Sequence, residues 1–397
     1  MDKIWVSKNY ESSNLFEFES FISKKYNLNF SNYGELHQWS ITNLENFWES
    51  IAEFYKIEFD QKYDFVLKKN IPFYKTEWFK NAELSYSNHI LRHAKKGETA
   101  IIYKNESDTI IEISWNSLLE KVKKIRESLI GFGVSKGDVV AGYLLNHPDT
   151  IASFIAVNSL GAIWSCCSPD FGVESIVNRF NQLDPKVLLA HKSYLYNGKL
   201  YEQKDKINDL EKKLPSVKNT ILFDSSFNSW NFQSNYWIDF ELKSVKFNDP
   251  IWVLFSSGTT GKPKAITHGT GGILLEQYKS HSLHQNIIKG DRFFWNTTTG
   301  WMMWNYAIGS FLCGATLCLY DGAANYPDIG AQWRFAKDAK INHFGNGSPL
   351  FIASMKQNIK DVNDNDLNCI KTIGATGSPL SIEAFKWLQK KLPDTQI

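Results

Sequence analysis

The segment Ser256-Ser257-Gly258-Thr259-Thr260-Gly261-Lys262-Pro263-Lys264 gathers three kinds of anion-binding group into one short loop. Gly258 and Gly261 let the backbone turn with positive φ and bring N–H groups close to an anion, the hydroxyls add donors, and the two lysines add charge. Phosphate, as carried by a nucleotide triphosphate or pyrophosphate, is the group such a loop holds. The loop is not a Walker A motif, because Pro263 follows Lys262 and Ala265-Ile266-Thr267-His268 reads as a strand where a helix is required. An ordinary polar turn is the plain alternative. Two lysines, and an apolar strand pattern on each side, including Ile251-Trp252-Val253-Leu254-Phe255, argue against it.

A second glycine cluster, Gly374-Ala375-Thr376-Gly377-Ser378-Pro379, falls between a strand pattern and a helix pattern, where open α/β sheets bind ligands. Alone it is a common strand-to-helix turn. The stretch Thr297-Thr298-Thr299-Gly300-Trp301-Met302-Met303-Trp304-Asn305-Tyr306 has the aromatic and thioether content of a small organic pocket, and equally that of a core. Other constellations fail. His281 and His284 have no third metal ligand nearby in sequence. Asp361, Asn363 and Asn365 begin like a calcium loop, but Asp366 stands where Gly is needed and Thr372 where Glu is needed. No metal site is identifiable, and no GxSxG nucleophile motif occurs.

The elements that must carry these residues alternate. Ala100-Ile101-Ile102-Tyr103 and Ile110-Ile111-Glu112-Ile113 read as paired strands, and Ser114 caps a helix with Leu118, Val122, Ile125, Leu129 and Phe132 on one face, stopping at Gly133. Residues 139–145 form an apolar run of the kind buried on both sides of a parallel sheet, followed by an apolar helix that Asp149 is expected to cap. After the phosphate loop the pattern predicts helices over 272–284, 306–312 and 333–339, and strands over 292–295, 315–320, 341–344 and 369–373. The fold class is therefore α/β with mostly parallel sheets. The expected organisation is a helical, aromatic lead-in over residues 1–90, a first α/β subdomain over 91–247, and a second over 248–397 that carries the phosphate loop.

At 397 residues the chain exceeds one ordinary core. Lys+Arg 44 against Asp+Glu 42, with no basic block, gives no nucleic-acid or anionic-membrane surface. Five cysteines without a CxxC point to a reducing, cytoplasmic setting. No apolar run is long enough to span a bilayer, so no membrane insertion is expected. Pro393-Asp394-Thr395 reads as a turn with Gln396-Ile397 opening a further strand, so the sequence is expected to be the N-terminal portion of a longer alternation.

Together these residues resemble the adenylate-forming acyl-CoA synthetases, and within them the acetoacetyl-CoA synthetases. The phosphate loop carries the broader resemblance. Trp39-Ser40, Phe47-Trp48, Ser168-Pro169-Asp170-Phe171-Gly172, Tyr194-Leu195-Tyr196-Asn197-Gly198-Lys199, Thr298-Thr299-Gly300-Trp301-Met302-Met303-Trp304-Asn305-Tyr306 and Gly374-Ala375-Thr376-Gly377 carry the narrower one. The resemblance implies a large adenylate-forming domain that uses ATP, Mg2+ and coenzyme A with acetoacetate. It implies that Ser256, Ser257, Gly258, Thr259, Thr260, Gly261, Lys262 and Lys264 hold the ATP phosphates, and that Gly377, Ser378 and Pro379 border the adenine. Trp301, Met302, Met303, Trp304 and Thr376 would line the acyl pocket, with Lys199 toward coenzyme A. The family's small mobile lid domain, with its lysine, has no counterpart in these residues, so the chain alone is expected to be inactive in acetoacetate-dependent ATP–pyrophosphate exchange. Two further readings stay open: a shortened nucleotide- or acyl-binding regulatory module, and another short-chain acyl-CoA synthetase.

Overall fold

The computed structural model describes residues 9–68, 76–107, 109–256 and 261–397. Among them, twelve strands build two six-stranded sheets. In chain order these are β1 (Thr99–Asn105), β2 (Ile110–Ser114), β3 (Val139–Tyr143), β4 (Ile163–Cys167), β5 (Val187–His191), β6 (Asn219–Phe223), β7 (Pro250–Ser256), β8 (Lys264–Gly269), β9 (Arg292–Trp295), β10 (Thr316–Asp321), β11 (His343–Gly347) and β12 (Thr372–Thr376). The first sheet has the order β6-β5-β3-β4-β7-β8 and the second β12-β11-β9-β10-β1-β2. Neighbours pair in parallel except the last pair of each sheet, β7–β8 and β1–β2, which are antiparallel.

Period-two alternation assigns each strand's two faces to different cores. Val140, Val187 and Leu189 of the first sheet, and Ile101, Phe293 and Leu317 of the second, share one central core. The alternate residues face outward: Ala141 and Leu188 meet the helices Val173–Phe180 and Lys204–Lys213, while Ile102, Phe294 and Cys318 meet the helices Ala331–Asp338, Ser348–Gln357 and Ile382–Lys391. Between the sheets lies the helix Pro148–Ser159, every residue of which is buried. Its Ile151, Phe154, Ile155 and Val157 are apolar, and its Thr150, Ser153, Asn158 and Ser159 side chains satisfy their polar atoms by donating to backbone carbonyls.

Local signals act largely as the sequence predicts. Ser114 Oγ accepts from Ser117 N to cap the helix Trp115–Gly131, whose Leu118, Val122 and Leu129 are fully buried. Each such side chain contributes about 1.5–3 kcal/mol of transfer free energy as an upper estimate. Gly133 then turns the chain at φ +75°. Three lead-in helices, Asn14–Tyr26, Tyr33–Thr42 and Leu44–Phe54, pack on the central core. Among the described residues no helix is long and apolar enough to cross a membrane.

Several expectations change. The sheets cross the boundary expected near residue 247: β1 and β2 complete the second sheet, and β7 and β8 complete the first. Strand order in sequence carries no information about which of two similar edges a strand joins. Asp149 does not cap its helix. His147 is the N-cap, its Nδ1 accepting from Asp149 N, and Pro148 takes the first turn where its missing N–H costs nothing. The helix expected over 306–312 begins earlier, at Met302, and tightens into a 3-10 segment Gly309–Cys313 before Gly314 at φ +75°. The helix expected over 272–284 is Thr270–Tyr278 followed by a π-helical turn, Lys279–His284.

Candidate active site

The carboxyl ends of both sheets open on one cleft of about 890 Å³. The first sheet contributes Leu145, Asn146 and Ser168-Pro169-Asp170, just beyond β3 and β4. The second contributes Trp295 at the end of β9 with Asn296 to Thr298 after it, Tyr320-Asp321-Gly322 at the end of β10, Asn346-Gly347 on β11, and Thr376 ending β12 with Gly377 after it. A hairpin, Ser193–Tyr196 with Lys199–Glu202, adds Tyr194, Leu195, Tyr196 and Tyr201, and the Tyr194 and Tyr201 rings stack at 5.0 Å. This is where ligands bind in parallel α/β sheets, because the loops of adjacent strands diverge there.

Three clasps hold the walls together. Thr299 Oγ1 donates to Leu144 O at 2.7 Å, tying the β9 loop to β3. Trp304 Nε1 donates to Asn146 Oδ1 at 3.1 Å, and Asn146 Nδ2 donates to Tyr320 O at 3.1 Å. The Glu106 carboxylate accepts from Asn197 N, Gly198 N and Ala323 N at 2.6, 2.7 and 2.8 Å, pinning the hairpin tip to the loop after β10. Charge-assisted bonds of this kind are the strong ones.

The expected acyl-pocket residues divide. Trp301, Met303 and Thr376 line the cleft. Trp304 does not: it is 1% exposed, behind the wall, and stacks on Trp164 at 5.9 Å. Its indole packs the central core because the helix starts at Met302 and turns position 304 inward. Met302 is 54% exposed and lies outside the lining. Gly377 borders the cleft at φ +83° with nothing within 4 Å of where a Cβ would stand, leaving room for a flat ring. Ser378 and Pro379 follow it outside the lining, and the Ser378 carbonyl accepts from Ser348 Oγ at 2.5 Å.

Of the phosphate loop, Ser257, Gly258, Thr259 and Thr260 lie outside the described residues. Ser256 ends β7 and pairs with Lys264 on β8. Lys262 and Lys264 are exposed, and Gly261 between the strands has φ +138° with open space on its Cβ side. Lys199 is exposed on the pinned hairpin. His281 and His284 do not converge: His281 is buried with Nε2 on Tyr306 O at 2.9 Å, and burial lowers its pKa to about 3, whereas His284 is exposed.

Sequence reading missed several polar groups. Trp295 lies flat over Gly345 and Gly374 of the neighbouring strands, where added Cβ atoms would fall 2.1 and 2.4 Å from the indole. Asp321, half-buried in the cleft, has its pKa raised to about 6 by desolvation. Beneath Asn146 sits a buried ionic group: Asp149 with Lys121 Nζ at 2.9 Å, His147 Nδ1 at 3.1 Å and His191 Nε2 at 3.8 Å. Burial pushes the Asp149 pKa up, but His147, His191 and Lys121 outweigh it and hold the carboxyl well below the usual range. His147, Asp149 and His191 are close enough to suggest a metal. The Lys121 ammonium already supplies the positive charge there.

A family model described as AMP-binding enzyme matches residues 91–397. The chain belongs to the AMP-binding enzyme family. A second model, the acetyl-coenzyme A synthetase N-terminus, matches residues 33–90 of this AMP-binding chain. The acetoacetyl-coenzyme A synthetase of Rhizobium meliloti (strain 1021) is 32% identical over 409 residues, covering 99% of the chain and 63% of that protein. The acetoacetyl-CoA synthetase of Danio rerio is 29% identical, covering 97% and 60%. The solved acetoacetyl-CoA synthetase from Streptomyces lividans superposes with a TM-score of 0.93 at 33% identity, covering 99% of this chain and 62% of that one. The chain thus spans about 60% of the length of these relatives. The superposition places the two sheets in the large domain of the adenylate-forming fold.

Proposed function

We propose that this AMP-binding chain belongs to an acetoacetate–CoA ligase. In the first step an acetoacetate carboxylate oxygen attacks the α-phosphorus of Mg-ATP, forming acetoacetyl-adenylate and releasing pyrophosphate. In the second, the thiol of coenzyme A attacks the acyl carbon, loses its proton and displaces AMP. The observation that carries this reading is the convergence of Trp301, Met303, Thr376 and Gly377, from segments far apart in sequence, on one cleft at the carboxyl ends of the strands.

The roles combine position on the cleft with what the family resemblance implies. Trp301, Met303 and Thr376 bound the acyl chain, with Met302 at the mouth and Trp304 buttressing the wall from behind. Gly377, with its open Cβ side, admits the adenine against Ser378 and Pro379. Ser256, Gly261, Lys262 and Lys264 hold the β- and γ-phosphates. The conformational freedom of Gly261 and the two exposed ammoniums suit an anion that arrives from solvent. Lys199 and the hairpin tyrosines face coenzyme A. The five unpaired cysteines fit a cytoplasmic setting.

Calorimetry with a non-hydrolysable acetoacetyl-sulfamoyl adenosine tests the reading on the 397-residue chain. Saturable binding at least ten times tighter than ATP alone is expected, because one molecule fills both subsites. Binding of ATP with no binding of the mimic or of acetoacetate sinks the ligase reading and favours a nucleotide-binding module.

A further inference from the structure

Three amide side chains close a ring at the carboxyl lip of the second sheet. Asn296 Nδ2 donates to Asn346 Oδ1 at 3.3 Å, Asn346 Nδ2 to Gln332 Oε1 at 2.6 Å, and Gln332 Nε2 to Asn296 Oδ1 at 2.8 Å. Gln332 is 0% and Asn346 2% exposed, while Asn296 and Asn346 both line the cleft. Asn346 Oδ1 also accepts from Gly347 N at 2.8 Å. These bonds fix the orientation of all three amides, since flipping one alone would set donor against donor and acceptor against acceptor. Every amide oxygen is engaged. What remains on each nitrogen is a second N–H.

The acceptor that suits the spare N–H of Asn296 is a neutral carbonyl. Among the described residues lining the cleft there is no lysine, arginine or histidine, and Asp170 and Asp321 line it, so the Asn296 amide has no cation beside it that would favour a charged acceptor over a neutral one. The ring also sits beside the acyl subsite: Asn346 precedes Gly347, which pairs with Thr376. We infer that Asn296, oriented by Gln332 and Asn346, reads the C3 carbonyl of a short 3-oxo acid and so selects it over the saturated acid of equal length. The inference rests on the ligase reading above. A saturated chain covers the N–H without offering it an acceptor, and that loss is what discriminates. Asn296 is then a specificity residue, and Gln332, which does not line the cleft, positions it.

Saturation-transfer NMR on the 397-residue chain, with saturating ATP, measures dissociation constants for acetoacetate and for butyrate. The wild type is expected to prefer acetoacetate by about 5- to 20-fold, the worth of one well-placed hydrogen bond. Asn296→Leu is expected to abolish that preference with the ATP constant unchanged. Asn296→Ala, which leaves space for water to satisfy Gln332, provides a second variant if the leucine destabilises the chain, and is expected to cut the preference in the same direction. Equal binding of both acids by the wild type, or an unchanged ratio in a folded variant, overturns the inference and leaves the ligase reading standing. A variant that loses ATP affinity with its acid ratio intact also overturns it, assigning the ring to the nucleotide. Failure of the wild type to bind either acid removes the ligase reading itself.

Discussion

Asp149 and Asp291 are both buried carboxylates flanked by histidine and lysine, one against each sheet and at opposite strand ends. Asp149 lies at the carboxyl end of the first sheet, beneath the cleft residues Leu145 and Asn146, and its lysine partner is buried with it, the Lys121 side chain being 9% exposed. Asp291 lies at the amino end of the second sheet, between His343 Nε2 at 2.9 Å and Lys371 Nζ at 2.6 Å, and the Lys371 side chain is 44% exposed. His343 Nδ1 is held in turn by Thr372 Oγ1 at 2.8 Å, which ties β11 to β12. The same ingredients therefore do different work. At the amino end they fasten strand starts, with water available to share the charge. At the carboxyl end they support the floor of the cleft from a buried interior.

The comparison breaks first at Asp149. Replacing it by alanine strands the Lys121 ammonium in the core, so urea denaturation is expected to show a loss of about 3–5 kcal/mol. Asp291→Asn leaves Lys371 free to reach water, and about 1–2 kcal/mol is expected by the same measurement. Equal losses at the two sites would refute the contrast.

Between these two in size comes a dependence on pH. Burial, opposed in part by Asp149, lowers the His191 pKa to about 4, below its unfolded value near 6.5. The unfolded chain then binds the extra proton between those values, so stability rises with pH in that window and is lost on acidification from about 6.5 toward 4. On the order of 2–3 kcal/mol is expected to disappear, and His191→Gln is expected to flatten that slope. The smallest effect has the opposite sign. Asp321, with its pKa raised to about 6, binds its proton more tightly when folded, so its cost appears as pH rises through 6. Asp321→Asn is expected to stabilise the chain at pH 8 by about 1 kcal/mol, allowing for partial exposure, and to change little at pH 4.

Local features were legible in the sequence wherever one residue type sufficed. Ser114 announced its helix, Gly133 its end, and the apolar runs 139–145 and 251–255 their strands. Trp301, Met303, Thr376 and Gly377 were marked by composition and by their place after a strand, and they meet on the cleft. Features made by distant partners were not legible. The amide ring joins residues 296, 332 and 346, and no local spacing distinguishes those amides from surface ones. Asp149 read as a cap because it opens an apolar helix. Only the fold brings Lys121 and His191 to it, and His147 had already taken the capping position. The strand exchange between the sheets was hidden for the same reason.

That exchange also sets a schedule. Ile101 on β1 pairs with Leu317 on β10, so the β1–β2 hairpin cannot join its parallel neighbour during synthesis until most of the chain has followed. At ~5–20 residues per second the wait is roughly 10–40 s. Throughout it, the unpaired edge of β1, rich in isoleucine, is a template for any extended neighbour. Soluble yield is therefore expected to rise with the supply of holding chaperones, and a yield indifferent to them would show that the edge is covered in another way.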